Sequence, residues 1–342
     1  MHRRFVRTGF GLAAIGVLAV AGTPVLLGQG PDAAGYTAPR TPWGDPDLQG
    51  IWEYWTFTPL QRPDEFGERE EITGEEAAEI AQEGVEAARG RDEASTAEGG
   101  SYGQEVWTER SRAVALTRSS LIFDPPDGKI PPVTSSEERR VAAHRAAGQR
   151  PVRTRAVGVG TDGPEDRGLA ERCIVAFSSG PPMLPAGYNN NVQVFQAPGY
   201  VVLAVEMIHD VRVIPLDGRE HLPRTMRQWL GDSRGRWEGD TLVVETTNFT
   251  DKIAGFSTTA GAWGTGRNLR LTERFTRVDD DTVSYEFTVD DPTVFTRSFS
   301  ARFPMNKSEL PLYEYACHEG NYGLHNILSG ARAEERTMAD RR

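Results

Sequence analysis

From Leu269 to Phe303 the chain reads LRLTERFTRVDDDTVSYEFTVDDPTVFTRSFSARF, with apolar and polar residues taking turns between Asp-rich breaks. Alternate residues of an extended strand share a face, so this pattern calls for three strands, each with one buried face. Turns this short join them antiparallel. The same alternation recurs upstream. VQVFQAPGYVVLAVEMIHDVRVIPLDG reads as two strands meeting at Ala197-Pro198-Gly199, the second running on through His209 to Ile214. GRWEGDTLVVETTNF reads as a Glu-Gly-Asp turn and a strand from Thr241 to Phe249, and PLYEYACHEG as a last strand. With 36 glycines and 22 prolines in 342 residues, the composition speaks against extensive helix. The expected fold is mainly β, an antiparallel meander curled into a barrel or half-barrel, because a flat sheet leaves edges unpaired and a face uncovered.

Ahead of this β domain, placed at residues 166–330, residues 31–165 read as a loop-rich, partly helical segment. An aromatic strand is expected from Ile51 to Phe57. Thr73 and Glu76 stand at capping-box spacing before a helix whose Ala77, Ile80, Ala81, Val85 and Ala88 share one face. Arg89 to Gln104 reads as a loop. Asp-Pro-Pro-Asp-Gly at 124–128 turns the chain between two strand-like pieces. A second helix follows, with Ser135 and Glu138 at its start, His144 on a solvated face and Gly148 as its stop. Residues 331–342 are expected to be a flexible tail.

The first thirty residues have the layout of an export signal that is cleaved: basic MHRRFVRTGF, apolar GLAAIGVLAVAG, then small residues. A retained anchor is the alternative, since Gly9 to Leu27 carries no charge. Arg3-Arg4 leaves twin-arginine and general secretion both open. Export implies a periplasmic or secreted protein with no stable membrane span after processing. In such a compartment Cys173 and Cys317 are expected to pair, a bond over a long loop worth roughly 4 to 5 kcal/mol on chain-entropy grounds. The other reading is a nucleophilic Cys317 beside His318. A net charge of −11 argues against nucleic acid as a partner and leaves a small molecule as the expected one. The oligomeric state stays open.

The stretches RTPWGDPDLQGIW, DPPDGKIPP, EMIHDVRVIPLDG, WEGDTLVVETTNF, ERFTRVDDDT and YEYACHEGNYG resemble those of a large family of exported, mostly uncharacterised bacterial proteins. This resemblance spans nearly all the chain after the signal and implies export without implying a reaction. Gly50-Ile51-Trp52 is similar to the first-strand Gly-x-Trp of lipocalins and related calycin barrels. The meander from Gly239 to Cys317 is similar to their up-and-down sheet, which implies a barrel around a ligand.

For chemistry, alternation places His209 among Val205, Met207 and Val211 on an inward face, Glu273 between Leu271 and Phe275, and Arg297 among Phe295, Phe299 and Phe303. Glu206, Asp210 and Arg212 fall on the opposite, solvated face. If the three inward groups converge, His209 serves as base, Glu273 as acid and Arg297 as anion stabiliser, in a lyase, isomerase or hydrolase needing no cofactor. The bland reading is a buried Glu–Arg pair with His209 bonded to backbone. Tyr188, Asn190, His221, His318, Glu319, Asn321 and Tyr322 are candidate ligand contacts, and Trp43, Trp52, Trp55, Trp229 and Trp263 a candidate aromatic wall. A non-catalytic binder of a lipid, pigment or aromatic compound is the alternative function. A metal-dependent enzyme built on the histidines around CHEGNYGLH is a second alternative, although their spacing matches no standard metal motif and no metal ligands are assigned. Gly-x-Ser-x-Gly, Ser-x-x-Lys, His-Glu-x-x-His and P-loop signatures do not occur.

Overall fold

Strands form where the alternation is strictest. The computed structural model describes residues 25–27, 36–97, 114–146, 160–176, 179–250 and 267–341. Its strands are β1 (Val25–Leu27), β2 (Gly50–Glu53), β3 (Val114–Leu116), β4 (Ile122–Asp124), β5 (Asn191–Ala197), β6 (Tyr200–Val205), β7 (Val211–Pro215), β8 (Asp232–Glu238), β9 (Thr241–Thr247), β10 (Arg270–Arg277), β11 (Thr282–Asp290) and β12 (Phe299–Lys307). The helices α1 (Gly74–Ala97), α2 (Ser135–Ala146) and α3 (Tyr322–Asp340) stand beside them. Ten strands form one antiparallel sheet in the order β7-β6-β5-β2-β12-β11-β10-β9-β8, with β4 also on β12. The sheet curls until β7 faces β8, giving a nearly closed barrel.

No ladder joins β7 to β8, and the seam is closed by packing. Gly235 of β8 lies so near β7 that a Cβ there would sit 2.6 Å from Leu216 Cδ2 and 2.8 Å from Ile214 Cγ2. The absent side chain is what lets the two strands approach.

Inside, β11 contributes Val283, Tyr285, Phe287 and Val289, and β12 contributes Phe299, Ala301, Phe303 and Met305, all buried. These join Trp52, Leu203, Leu242 and Phe275 in one core. A cavity among them, lined by Leu48, Trp52, Leu203, Phe275 and Met305, has a volume of about 10 Å³. That barely reaches the roughly 10–15 Å³ needed for one water, and its walls offer a water no hydrogen bonds. Around that cavity, the interior is a packed core.

The N-terminal segment adds β2 and β4 to the sheet and Leu116 and Leu121 to its core. Thr73 and Glu76 form the expected reciprocal cap of α1, with Glu76 N–H to Thr73 Oγ1 at 3.2 Å and Thr73 N–H to Glu76 Oε2 at 2.8 Å. Ala77, Ala81 and Ala88 of α1 are buried, the first two in a small cluster with Ile72 and Ala115. Several boundaries differ from expectation. Helix α1 continues through Ala97, because nothing between Arg89 and Ala97 breaks it. Thr134 rather than Ser135 caps α2, accepting the Glu137 N–H at 3.3 Å. Strand β2 ends at Glu53, and residues 311–316 form no strand. Where a flexible tail was expected, α3 runs to Asp340, its Arg332 donating to the carbonyls of Thr161 and Asp162.

Strand β1 lies within the stretch read as an export signal and pairs in parallel with β3, a partner that cleavage would remove. The rest of that signal, the Gly148 stop, the His144 side chain, Trp263 and residues 98–104 of the expected loop lie outside the described residues. Among the described residues no helix is long and apolar enough to cross a membrane.

Candidate functional site

One end of the barrel is marked by Glu53, Asn191, Val205 and Val211, which the antiparallel pairings bring together. Here β6 turns into β7, and the turn decides which side chains face inward. The ladder pairs Val201 with Ile214 and Leu203 with Arg212, so odd numbers on β6 oppose even numbers on β7. Paired residues share a face, and the inward set therefore changes parity across the turn. Val201, Leu203 and Val205 are buried, then Arg212 and Ile214, while Val211 and Val213 are more than half exposed. Reading Tyr200 to Ile214 as one continuous strand misplaces every residue after the turn.

The corrections follow. Arg212, expected on a solvated ladder, is 4% exposed, and Glu206 is 2% exposed. His209, expected inside, is exposed at the rim. Arg297 stands in the turn before β12 and pairs with Asp124 at 2.7 Å with half its side chain in solvent. Glu273 is fully buried, as its alternation indicates, yet it meets neither His209 nor Arg297.

Its partner is Arg212. Nη2 lies 2.5 Å from Glu273 Oε2 and Nη1 3.1 Å from Oε1. Tyr285 donates its hydroxyl to Oε1 at 2.8 Å and accepts the Met183 N–H at 3.1 Å. Ser233 Oγ, 3.5 Å from Arg212 Nη2, also bonds Thr246. Burial, the Glu273 charge and its hydrogen bond push the Tyr285 phenol well above its ordinary value. Burial by itself would lower the Arg212 guanidinium, but the facing carboxylate outweighs it and holds the group above its usual value. A doubly bonded, enclosed ion pair of this kind aligns strands β7, β10 and β11.

A second group of polar side chains and strained backbone lies at the rim. Met207 to His209 form a kinked turn in which Ile208 has φ 64° and ψ 7° and His209 has φ 48°. A β-branched residue in the left-handed region is strained, and such strain collects at functional sites. Cys173 and Asn189, both at φ 55°, belong to the same end. Cys173 bonds Cys317, closing 144 residues, and the Asn191 side chain donates to Glu206 Oε2 at 2.6 Å.

After β12 the chain returns across this rim as a strap. Tyr313 N–H donates to Glu206 Oε1 at 3.2 Å, and the Tyr315 carbonyl accepts from His209 Nδ1 at 2.9 Å. Because a carbonyl only accepts, Nδ1 carries the hydrogen, which leaves Nε2 as the basic nitrogen of the neutral ring. The His318 ring lies 6.3 Å from that of His209, centroid to centroid. Asn321 ends the strap, capping α3 through Leu324 N–H and donating to the Glu171 carbonyl at 2.8 Å.

The remaining candidates are dispersed. Asn190, fully buried, pins the Ala186 backbone through both ends of its amide. Tyr188 packs against the core. His221 lies in the loop before β8, its Nδ1 2.9 Å from Asp232 Oδ2, which also takes the Leu222 N–H and faces Arg234. Trp52 is core, bonded to the Leu48 carbonyl. Glu319 and Tyr322 are exposed beside His318 and Asn321. Among the described residues no group of three or more His, Cys, Asp or Glu gathers around a possible metal position. Sequence reasoning missed Glu206, Arg212 and Tyr285, and the signal that finds the first two is the parity of the β6–β7 register.

Fold and rim together define a class: a filled antiparallel barrel with a disulfide-fastened histidine pair at one mouth. No protein-family model and no curated protein matches the chain.

Proposed function

We propose that this is an exported acid–base enzyme of lyase, isomerase or hydrolase type, working at the strapped rim on a small, partly apolar molecule that arrives from solvent. The observation that carries the reading is His209, whose strained backbone and Tyr315 bond aim a basic Nε2 outward beside a second imidazole. In this scheme His209 takes a proton from the substrate and His318 returns one, the division of labour that general acid–base catalysis needs. Leu310, Tyr313 and Tyr322, each at least 60% exposed, give the strap apolar surface for the rest of the substrate. The packed interior disfavours a ligand held within the barrel.

The test is a panel of aryl esters, β-hydroxy acids and enolisable ketones assayed with the wild type and with His209→Gln. Turnover of at least one class by the wild type, reduced by about 10²-fold or more in the variant at unchanged melting temperature, supports the proposal. A variant as active as the wild type, or a wild type inert across the panel, refutes it.

A further inference from the structure

The histidine pair is made from two chain segments about a hundred residues apart in sequence, and what joins them is unusual in its economy. His209 belongs to the β6–β7 turn, whereas its carbonyl acceptor and its ring neighbour both belong to the strap. Along the strap from Ser308 to Asn321 no residue is fully buried, and only Tyr315 and Cys317 pack, partly buried, against the core. The helix that follows also buries no residue. Exposed hydrogen bonds and partial contacts open readily, since local stability follows buried contacts. The covalent Cys173–Cys317 bond is the fastening of another kind, and it sits one residue from His318 and two from Tyr315.

We propose that this disulfide is a latch. With the bond intact the rim site is assembled, and with the bond reduced the strap lifts, Tyr315 leaves His209 and His318 moves away while the barrel stays folded. The chemistry is thiol–disulfide exchange. A dithiol supplies two electrons and two protons, the Sγ–Sγ bond breaks, each sulfur becomes a thiol, and the dithiol closes to its own disulfide. The barrel survives because its ladders lie within β2 and β4–β12, and neither cysteine is in a strand. The regulatory meaning rests on the rim being the reaction site, but the assembly step is measurable without any substrate.

The experiment is amide hydrogen exchange with mass spectrometry on the full chain, oxidised and after dithiothreitol, with the Cys173→Ser/Cys317→Ser double variant as a second route to the open state. The expected result is exchange at least tenfold faster in peptides covering 205–210 and 312–321 on reduction and in the variant, with peptides of β10 and β11 unchanged. Equal protection of the strap in both redox states overturns the latch. So does loss of protection throughout β10 and β11, which would make the bond a staple for the whole fold. A strap that is released while turnover on the substrate panel is unaffected would leave the latch standing and instead refute the rim as the reaction site.

Discussion

Replacing Glu273 by Gln keeps the shape of the side chain and removes its charge, in a place where the magnitude can be reasoned from geometry. Arg212 is 4% exposed and Glu273 is fully buried, so the guanidinium would remain in a dry interior with no anion facing it. Breaking a buried pair in this way costs about 3–5 kcal/mol, because the penalty is an uncompensated charge and not merely a lost contact. With a urea slope of about 3 kcal/mol/M, the unfolding midpoint falls by about 1 to 1.7 M. The double variant Arg212→Met/Glu273→Leu removes both charges, and a hydrophobic replacement of a buried pair is often neutral or better. One cost remains, since the Tyr285 hydroxyl loses its acceptor, worth about 1–3 kcal/mol. The double variant should therefore lie nearer the wild type than Glu273→Gln does. Urea titration followed by the fluorescence of buried Trp52 and its neighbours measures all three. A Glu273→Gln midpoint within about 0.3 M of wild type, or a double variant less stable than the single, would mean that the pair is not the closed, dry unit described here.

Tyr285 adds an alkaline limb. Its phenol is held above the ordinary value of 10.0 in the folded state, so above that pH the unfolded chain gives up a proton that the folded chain keeps. Its stabilising contribution is complete below pH 10 and is lost as pH rises toward the folded value, at up to about 1.4 kcal/mol per pH unit. Urea midpoints between pH 9 and 11 should fall less steeply for Tyr285→Phe than for the wild type, and parallel curves would contradict the burial argument. At the seam, Gly235→Ala forces Leu216 and Ile214 to give way and should destabilise by about 1–3 kcal/mol, read as a lower thermal midpoint. An unchanged midpoint would show that β7 and β8 are not packed together.

The strand pattern was legible where a strand is long and regular. In Thr282–Asp290 every second residue is buried, as are Leu271, Glu273 and Phe275 of Arg270–Arg277, so Glu273 lies inside where alternation puts it. It failed where a turn hides in an apolar run. Glu206 to Asp210 contains neither Gly nor Pro, so nothing in the local residue chemistry announces a reversal, and the left-handed Ile208 contravenes the preference of its own side chain. Arg297 was misplaced for a related reason: Asp291 accepts the Thr293 N–H in a turn, and alternation does not extend through it. Of the rim, the pairing of Cys173 with Cys317 and the nearness of His318 to an end of the sheet were within reach. The meeting of His209 with the strap was not, because it joins segments whose proximity only the register creates.

Strand β2 holds a place in the sheet far from its place in the sequence. It lies between β5 and β12 and joins the β5–β7 meander to the β8–β12 meander, pairing Trp52 with Val192 on one side and with Lys307 on the other. A piece made among the first fifty or so residues must therefore wait for nearly the whole remainder of the chain before its second edge is covered. Contacts of such sequence separation are slow to form. A ribosome-bound chain would hold this strand open until the last barrel strand emerged, a long window in which chaperones and proteases compete for it.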